Sequence, residues 1–442
     1  ATISNAGSLV GVITGDTVAV SNAGASFANK SAATGKTVTM AGLSLSGADA
    51  GNYSIASTAT TTADITAKAL TLSGFTAANK VYDGLTTATI SNAGSLVGVI
   101  TGDTVTVSNA GASFANKSAA TGKTVTLAGV SPGGADGGNY SIASTATTTA
   151  NITPKTITLS ATKTYDGTTD LTGAVTLGGT VGSETLTYAG VLAASARVVG
   201  PDADPATVDN YVSALTLVDG TNGGEAANYQ LPTLNAANAP LQITAAPLVV
   251  SLSNTGVTKV YDGTANAPSG FAPAFTTSGL VAGDTLTYGF TDNAYNNAGV
   301  STASQITVSG LGMGGISSSN GSLMSDYTLS GVSSVSAAAT ITRAPLSVVA
   351  NADAKFVTTT DTAGFNGVTY NGFVNGETAS DLAGTLAITR TNASNDLAGR
   401  YSGVLVPSGL TSSNYQLSFV NGDFTVVPAG ELLVRLSAAS DT

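Results

Sequence analysis

Residues 1–67 and 88–154 align without a gap at an offset of 87, differing at only a few positions, among them Ala19 against Thr106, Met40 against Leu127, Leu45 against Pro132 and Asp64 against Asn151. A near-copy of this length constrains the fold more than composition does, because each element must recur and each repeat must meet the next. The stretch Lys80-Val81-Tyr82-Asp83-Gly84 returns as Lys163-Thr164-Tyr165-Asp166-Gly167 and as Lys259-Val260-Tyr261-Asp262-Gly263. The pair Asn52-Tyr53 returns as Asn139-Tyr140, Asn228-Tyr229, Asp326-Tyr327 and Asn414-Tyr415, with tyrosines 87, 89, 98 and 88 residues apart. Five repeats follow: 1–67, 68–153, 154–245, 246–343 and 344–428, with 429–442 a tail or the start of another. Ala1 corresponds to Ala88, just past a Lys-x-Tyr-Asp-Gly stretch, so the first repeat is read as incomplete and the chain as a window from a longer protein.

Each repeat carries a Gly-acid turn followed by an alternating run: Gly15-Asp16, Gly102-Asp103, Gly182-Ser183-Glu184, Gly283-Asp284 and Gly376-Glu377. Runs such as Thr104-Val105-Thr106-Val107 and Thr285-Leu286-Thr287-Tyr288 have the period of two of a half-buried strand. Seven or eight such runs per repeat, separated by Gly, Asn, Asp or Ser, predict an all-β fold: tandem antiparallel β-sandwiches, immunoglobulin-like or β-grasp-like, forming an elongated rod. Gly122–Leu127 and Tyr140–Ile142 are the clearest strands, and Asp83-Gly84 signals a tight hairpin that opens the repeat. At the joins an Ile is followed five residues later by another apolar residue: Ile65 and Leu70, Ile152 and Ile157, Ile243 and Leu248, Ile341 and Leu346. An odd spacing changes the face of a strand, and Ala67, Pro154, Pro247 or Pro345 lies between. The expectation is a stiff crossing in which the Ile closes one core and the later residue opens the next.

Without cysteine or histidine the chain holds no Ser-His-Asp or Cys-His arrangement, no thiolate or imidazole metal site and no disulfide. A net charge of −11 with no basic run argues against nucleic acid and anionic membrane surfaces. No apolar run of 18 residues predicts membrane insertion. The recurring carboxylates Asp83, Asp103 and Asp136, with Asp166 and Glu184 as counterparts, are read as turn acids capping nearby amides, against calcium binding, which wants denser Asp spacing. Gly310, Gly312 and Gly315 match a phosphate-cradle pattern in form, but Ser317-Ser318-Ser319-Asn320-Gly321 follows where a helix should begin, so a flexible turn is expected. The Asn-Tyr and Lys-x-Tyr tyrosines are read as core anchors with hydroxyls on backbone partners, against a sugar platform. Sequons stand at Asn29, Asn116, Asn139, Asn151, Asn320 and Asn392. Lys80 and Lys259 show no acid and Asn triad for a self-made isopeptide bond. No catalytic, cofactor-binding or metal residue is assigned, and no cofactor is expected.

The three Lys-x-Tyr-Asp-Gly stretches with their Asn-Tyr and Ile-Thr-x-Pro partners resemble YDG-type repeats. The fifth repeat, with Tyr370-Asn371-Gly372-Phe373, Asn414-Tyr415 and Phe424-Thr425-Val426, is similar to MBG-type repeats, and departs from the YDG pattern at Lys355-Phe356. The resemblance implies a large secreted bacterial surface protein, similar to filamentous haemagglutinin, with these repeats as stalk or matrix fibre and no catalytic residues. The expected function is therefore a structural stalk or fibre segment of an extracellular adhesin or biofilm-matrix protein, not an enzyme. Its expected partners are neighbouring repeats of a longer chain or copies of itself, with host or matrix glycans a further candidate. The alternatives are a filament subunit whose first repeat is completed by a strand from another copy, such as Leu432 to Leu436, and a carbohydrate- or receptor-binding module.

Overall fold

The computed structural model describes residues 1–5, 7–198 and 209–434. Its contacts form two compact units: Ala1–Ala161, Leu171–Leu192 and Tyr211–Pro240 in the first, and Thr162–Asp170, Ala193–Asn210 and Leu241–Thr442 in the second. The third repeat contributes to both. Among the described residues the secondary structure is β, interrupted only by single 3-10 turns. Four of these, Ala50–Asn52, Gly137–Asn139, Ala226–Asn228 and Met324–Asp326, end on the Asn or Asp that precedes the recurring tyrosine.

In the first unit the second repeat shows the sandwich in full. One sheet has five strands in the order Lys80–Val81, Thr145–Thr153, Ala120–Ala128, Gly111–Phe114 and Thr87–Ala88. Opposite it, Lys68–Ser73 runs between Ser95–Val97 and Tyr140–Ile142. The two longest strands alternate threonine outward with Val125, Leu127, Ala150 and Ile152 inward, and these share a core with Leu72 and Ile142 of the other sheet and with Phe75, just past the end of Lys68–Ser73. Fully burying each larger apolar side chain contributes about 1.5–3 kcal/mol. Antiparallel pairs dominate, but two pairs in the repeat are parallel: Lys68–Ser73 with Tyr140–Ile142, and Lys80–Val81 with Thr145–Thr153.

That second parallel pair corrects the hairpin expectation. Asp83-Gly84 does make a tight turn, with the Leu85 N–H donating to Asp83 Oδ1 at 2.9 Å and Gly84 at φ +78°. The strand before it, however, pairs with the last strand of the repeat at Lys80 opposite Ile152, and Thr87–Ala88 after it pairs with Gly111–Phe114. An Asp-Gly step sets only local curvature; the partners are chosen by buried faces far along the chain. Lys80 lies 2.7 Å from Asp83, and Lys259 2.8 Å from Asp262, so each ammonium is held by its own turn.

The joins are nearly continuous backbone: Thr145–Thr153 leads through Pro154 into Lys155–Thr156, and in the second unit Ser334–Thr342 leads through Arg343 into Ala344–Ala350. Both residues of the expected pairs are buried at Ile152 and Ile157, Ile243 and Leu248, and Ile341 and Leu346, while Ile65 is only half-buried. The cores on the two sides of a join are not separate as expected. Ile152 and Ile157 belong to one cluster that also takes in Val181, Leu186, Leu217 and Tyr229 of the third repeat. With one residue between strands there is no room for a solvated linker, so the apolar interior runs on.

In the second unit the fourth repeat keeps the same pairings: Val257–Val260 runs parallel to Ser334–Thr342, and Ala246–Pro247 parallel to Tyr327–Thr328. The fifth does too, with Ala344–Ala350 parallel to Tyr415–Val420 and Asp353–Phe356 parallel to Gly422–Val427. Gly310 does turn the chain between Gln305–Ser309 and Gly312–Ser318, at φ +66°, but Gly312 and Gly315 form no flexible turn, because Gly312–Ser318 is a strand paired with Asp284–Gly289 across a bulge near Thr287. Glycine is tolerated in a strand where a bulge brings backbones close. Leu436 lies outside the described residues, while Leu432 and Val434 are exposed.

Candidate functional site: the latch between repeats

The residues that repeat most strictly meet where one repeat abuts the next. Alternation turns Tyr82 inward from the end of Lys80–Val81, and it is 1% exposed. Its hydroxyl crosses into the third repeat and donates to Glu184 Oε1 at 2.7 Å. Tyr229, the Asn-Tyr tyrosine of that repeat, donates to Glu184 Oε2 at 2.6 Å, and Lys117 Nζ lies 2.7 Å from Oε1. The two phenol rings meet edge to face with centroids 5.4 Å apart and planes at 75°. Glu184, 7% exposed, is thus shared between two tyrosines from adjacent repeats. A buried carboxylate is stable only when its oxygens are met by donors, and these three meet them.

The same construction recurs within the second unit. Tyr261 donates to Glu377, whose Oε2 accepts from Tyr415 at 2.5 Å, and the rings stand 5.5 Å apart at 84°. At Tyr165 the phenol meets Tyr327 edge to face at 5.4 Å, but its hydroxyl pairs with Ser322 Oγ at 2.7 Å, while Tyr327 donates to Asp284 Oδ2 at 2.5 Å. Each Asn-Tyr hydroxyl also accepts a backbone N–H, from Ile100, Val181, Val281 and Val374 at 2.9–3.1 Å. The asparagine before it faces the preceding repeat: Asn139 Oδ1 accepts from Ala32 N at 2.8 Å, Asn228 from Ala119 N at 2.7 Å and Asn414 from Val300 N at 3.0 Å. At Asp326 the carboxylate takes both Val198 N and Arg197 Nε, at 3.1 and 2.6 Å.

The tight turn serves the latch as well. A β-carbon on Gly84 would lie 2.9 Å from Val181 Cγ1, and one on Gly167 2.8 Å from Val281 Cγ1, in backbone at φ +78°. Only glycine lets the turn seat against the next repeat there.

Sequence reasoning placed the tyrosines in the core, and Tyr140, Tyr229, Tyr327 and Tyr415 are buried there. Three of the five acids cap backbone amides as expected, Asp83 on Leu85 N, Asp166 on Thr168 N and Asp136 on Thr104 N, each at 2.9 Å. Asp103 and Glu184 do not: they accept tyrosine hydroxyls and a lysine from the preceding repeat instead. The available signal was the strict return of an acid after glycine in repeats whose Asn-Tyr pair also returns. A second cluster went unread: buried Lys355 lies 3.0 Å from Asp361 and 2.8 Å from Asp396, and Arg390 pairs with Asp396 at 2.6 Å above the Phe424 ring. It stands in the fifth repeat, where Val357 takes the register place of Tyr82 and supplies no phenol. Among the sequons, Asn139 and Asn151 spend their amide oxygens on Ala32 N and Gly122 N. Among the described residues no group of three acids is placed to hold a metal ion, and no helix is long and apolar enough to cross a membrane.

The latch sets a pH window. Burial first, and then the bond to the carboxylate, pushes Tyr229, Tyr327 and Tyr415 up to about 12. Unfolded tyrosine titrates near about 10, so the stability held by these phenols is whole below about pH 10 and is lost as pH rises through about 12. Glu184 has the opposite sign. Burial alone would raise its carboxyl, but donation from Lys117, Tyr229 and Tyr82 outweighs it and holds the group below the usual glutamate value. Its contribution is whole above about pH 4.3 and fades as pH falls through the depressed value. Absorbance titration of the phenolates should therefore show a delayed set of tyrosines that ionise together with loss of β circular dichroism. Ionisation of all fourteen tyrosines near the free value, with the fold intact, would contradict the buried latch.

The YDG domain family matches residues 1–62, 66–150 and 244–334, and the MBG domain (YGX type) matches residues 346–425. Residues 151–243 lie outside both matches, although Tyr165, Glu184 and Tyr229 there take the places described above. No curated protein matches the chain. Among solved structures, the chain is similar to the three N-terminal domains of the bacteriophage RB49 Highly Immunogenic Outer Capsid protein (Hoc), at 11% identity over 74% of this chain and all of that one, with a TM-score of 0.18. Because the YDG matches span more than half of the sequence, the chain belongs to the YDG domain family, as a tandem-repeat β protein that also carries an MBG-type repeat.

Proposed function

We propose that the chain is a structural stalk or fibre segment of a secreted bacterial surface adhesin or biofilm-matrix protein, with no catalytic role. The observation that carries this reading is the carboxylate shared across a junction, Tyr82 and Tyr229 on Glu184 and Tyr261 and Tyr415 on Glu377, beside backbone that passes from repeat to repeat with one or two residues between strands. Such a junction resists bending and sliding, because either motion would strip hydrogen bonds from a buried charge. Absence of cysteine suits a protein exported unfolded and stabilised by repetition. Extracellular placement and service as a stalk follow the resemblance to large bacterial exoproteins, and the partners are neighbouring repeats or other copies of the chain.

Small-angle scattering from residues 1–442 tests the reading. Five sandwiches in line expect a maximum dimension on the order of 150–200 Å. A radius of gyration near about 22 Å, the value for a compact chain of this length, would overturn it.

A further inference from the structure

We propose that the tyrosine pairs sharing a carboxylate across a junction, Tyr82 with Tyr229 on Glu184 and Tyr261 with Tyr415 on Glu377, are sites of oxidative cross-linking to dityrosine by an external one-electron oxidant of the peroxide-radical or ruthenium(III) class. In each pair the phenol ends of the rings converge. Tyr82 donates to Glu184 Oε1 at 2.7 Å and Tyr229 to Oε2 at 2.6 Å, with ring centroids 5.4 Å apart. Tyr261 and Tyr415 both donate to Glu377, with centroids 5.5 Å apart. Because one carboxylate gathers both hydroxyls, the carbons ortho to them, where phenoxyl radicals couple, lie at the same end of the pair. A phenol gives up an electron more readily when its proton passes to a base already hydrogen-bonded to it, and each carboxylate is such a base. The proton also has a way out. Glu184 is buried, but Lys117 lies 2.7 Å from Oε1 with 39% of its side chain in solvent, so its ammonium releases a proton to water as it takes one from the carboxyl. Glu377 is only half-buried and releases its proton to water directly.

Each ring gives one electron to the oxidant and its hydroxyl proton to the carboxylate, from which the proton leaves for solvent. The two phenoxyl radicals join through one carbon ortho to each hydroxyl. The hydrogens on those carbons then move as protons to the oxygens and restore both phenols. Two electrons and two protons have left, and the chain is lighter by two hydrogens. In oxidising surroundings a disulfide supplies such a covalent tie, and a chain without cysteine has none to form. The third tyrosine pair is an internal control. Tyr165 and Tyr327 also meet edge to face at 5.4 Å, yet the Tyr165 hydroxyl pairs with buried Ser322 Oγ and only Tyr327 reaches a carboxylate, Asp284. A serine hydroxyl is no base at neutral pH, so this pair keeps the ring contact and lacks the shared proton acceptor.

The test is photo-oxidation of the folded full chain with tris(bipyridyl)ruthenium and persulfate, followed by isolation of the monomer in denaturant and peptide mass spectrometry. Expected are cross-linked peptides joining Tyr82 to Tyr229 and Tyr261 to Tyr415, each lighter by two hydrogens than its parts, with several-fold less of the Tyr165 to Tyr327 product. Glu184→Gln keeps the shape of the site and removes the base. With the circular dichroism of the parent chain retained, it should lower the Tyr82 to Tyr229 product several-fold and leave the Tyr261 to Tyr415 product of the same molecule unchanged; Glu377→Gln should do the reverse. Absence of both products overturns the proposal. So does an equal yield from a chain unfolded in urea before oxidation, a Tyr165 to Tyr327 yield equal to the others, or indifference to both glutamine substitutions. None of these results depends on whether the molecule is extended, so the stalk reading stands or falls separately by scattering.

Discussion

Tyr82→Ala lowers the stability of the first unit by about 3–5 kcal/mol, the range for deleting a large buried ring. The ring is 1% exposed, packs with Phe75, Phe114 and Ile152 of its own repeat, and meets Tyr229 of the next. Alanine leaves a void that the join cannot close, because backbone enters and leaves it through paired strands on both sides. It also removes one donor from Glu184. Tyr82→Phe separates these effects: it keeps the packing and forfeits the hydroxyl, at about 1–2 kcal/mol. Urea unfolding followed by circular dichroism reads both. An alanine cost no larger than the phenylalanine cost would mean that the ring contributes little beyond its hydroxyl, contrary to the packing.

Glu184→Ala costs about 2–4 kcal/mol, although it creates a smaller void. Its removal leaves the hydroxyls of Tyr82 and Tyr229 without their carboxylate in a buried site and the Lys117 ammonium without its counter-ion. Glu184→Gln keeps the shape and one acceptor and should cost about half as much. Exposed ion pairs are poor guides to this magnitude. The Lys30 to Asp103 pair has 69% of the lysine side chain in solvent and contributes little, whereas Glu184 is enclosed.

The strands, the five-fold recurrence and the inward tyrosines were legible because they are written in alternation and spacing, which are local. Ile152 and Ile157 announced the face switch at the join for the same reason, and both are buried. What could not be read was pairing at a distance. Tyr82 finds its acceptor 102 residues away, and Lys80 finds its strand partner at Ile152, while the Asp-Gly step beside them advertises a hairpin that the fold does not make. Glu184 looked like any acid after a glycine turn; only the folded chain puts two phenols and an ammonium around it. The polar run from Ser317 to Gly321 points to a flexible turn at Gly312 and Gly315, yet they sit in a bulged strand opposite Gly289 and Thr287. Lys355, Arg390 and Asp396 are too far apart in sequence for any motif to join them.

The central claim is that adjacent repeats are coupled through the latch and do not merely sit on a string. Native-state hydrogen exchange of the Glu184→Ala chain, read by mass spectrometry on peptides from Thr145–Thr153, tests it most directly, because the substitution lies in the third repeat and the reporter strand in the second. The account predicts faster exchange in Thr145–Thr153, by about tenfold or more, together with faster exchange around Glu184. Protection unchanged in Thr145–Thr153 while the third repeat alone loosens would contradict it.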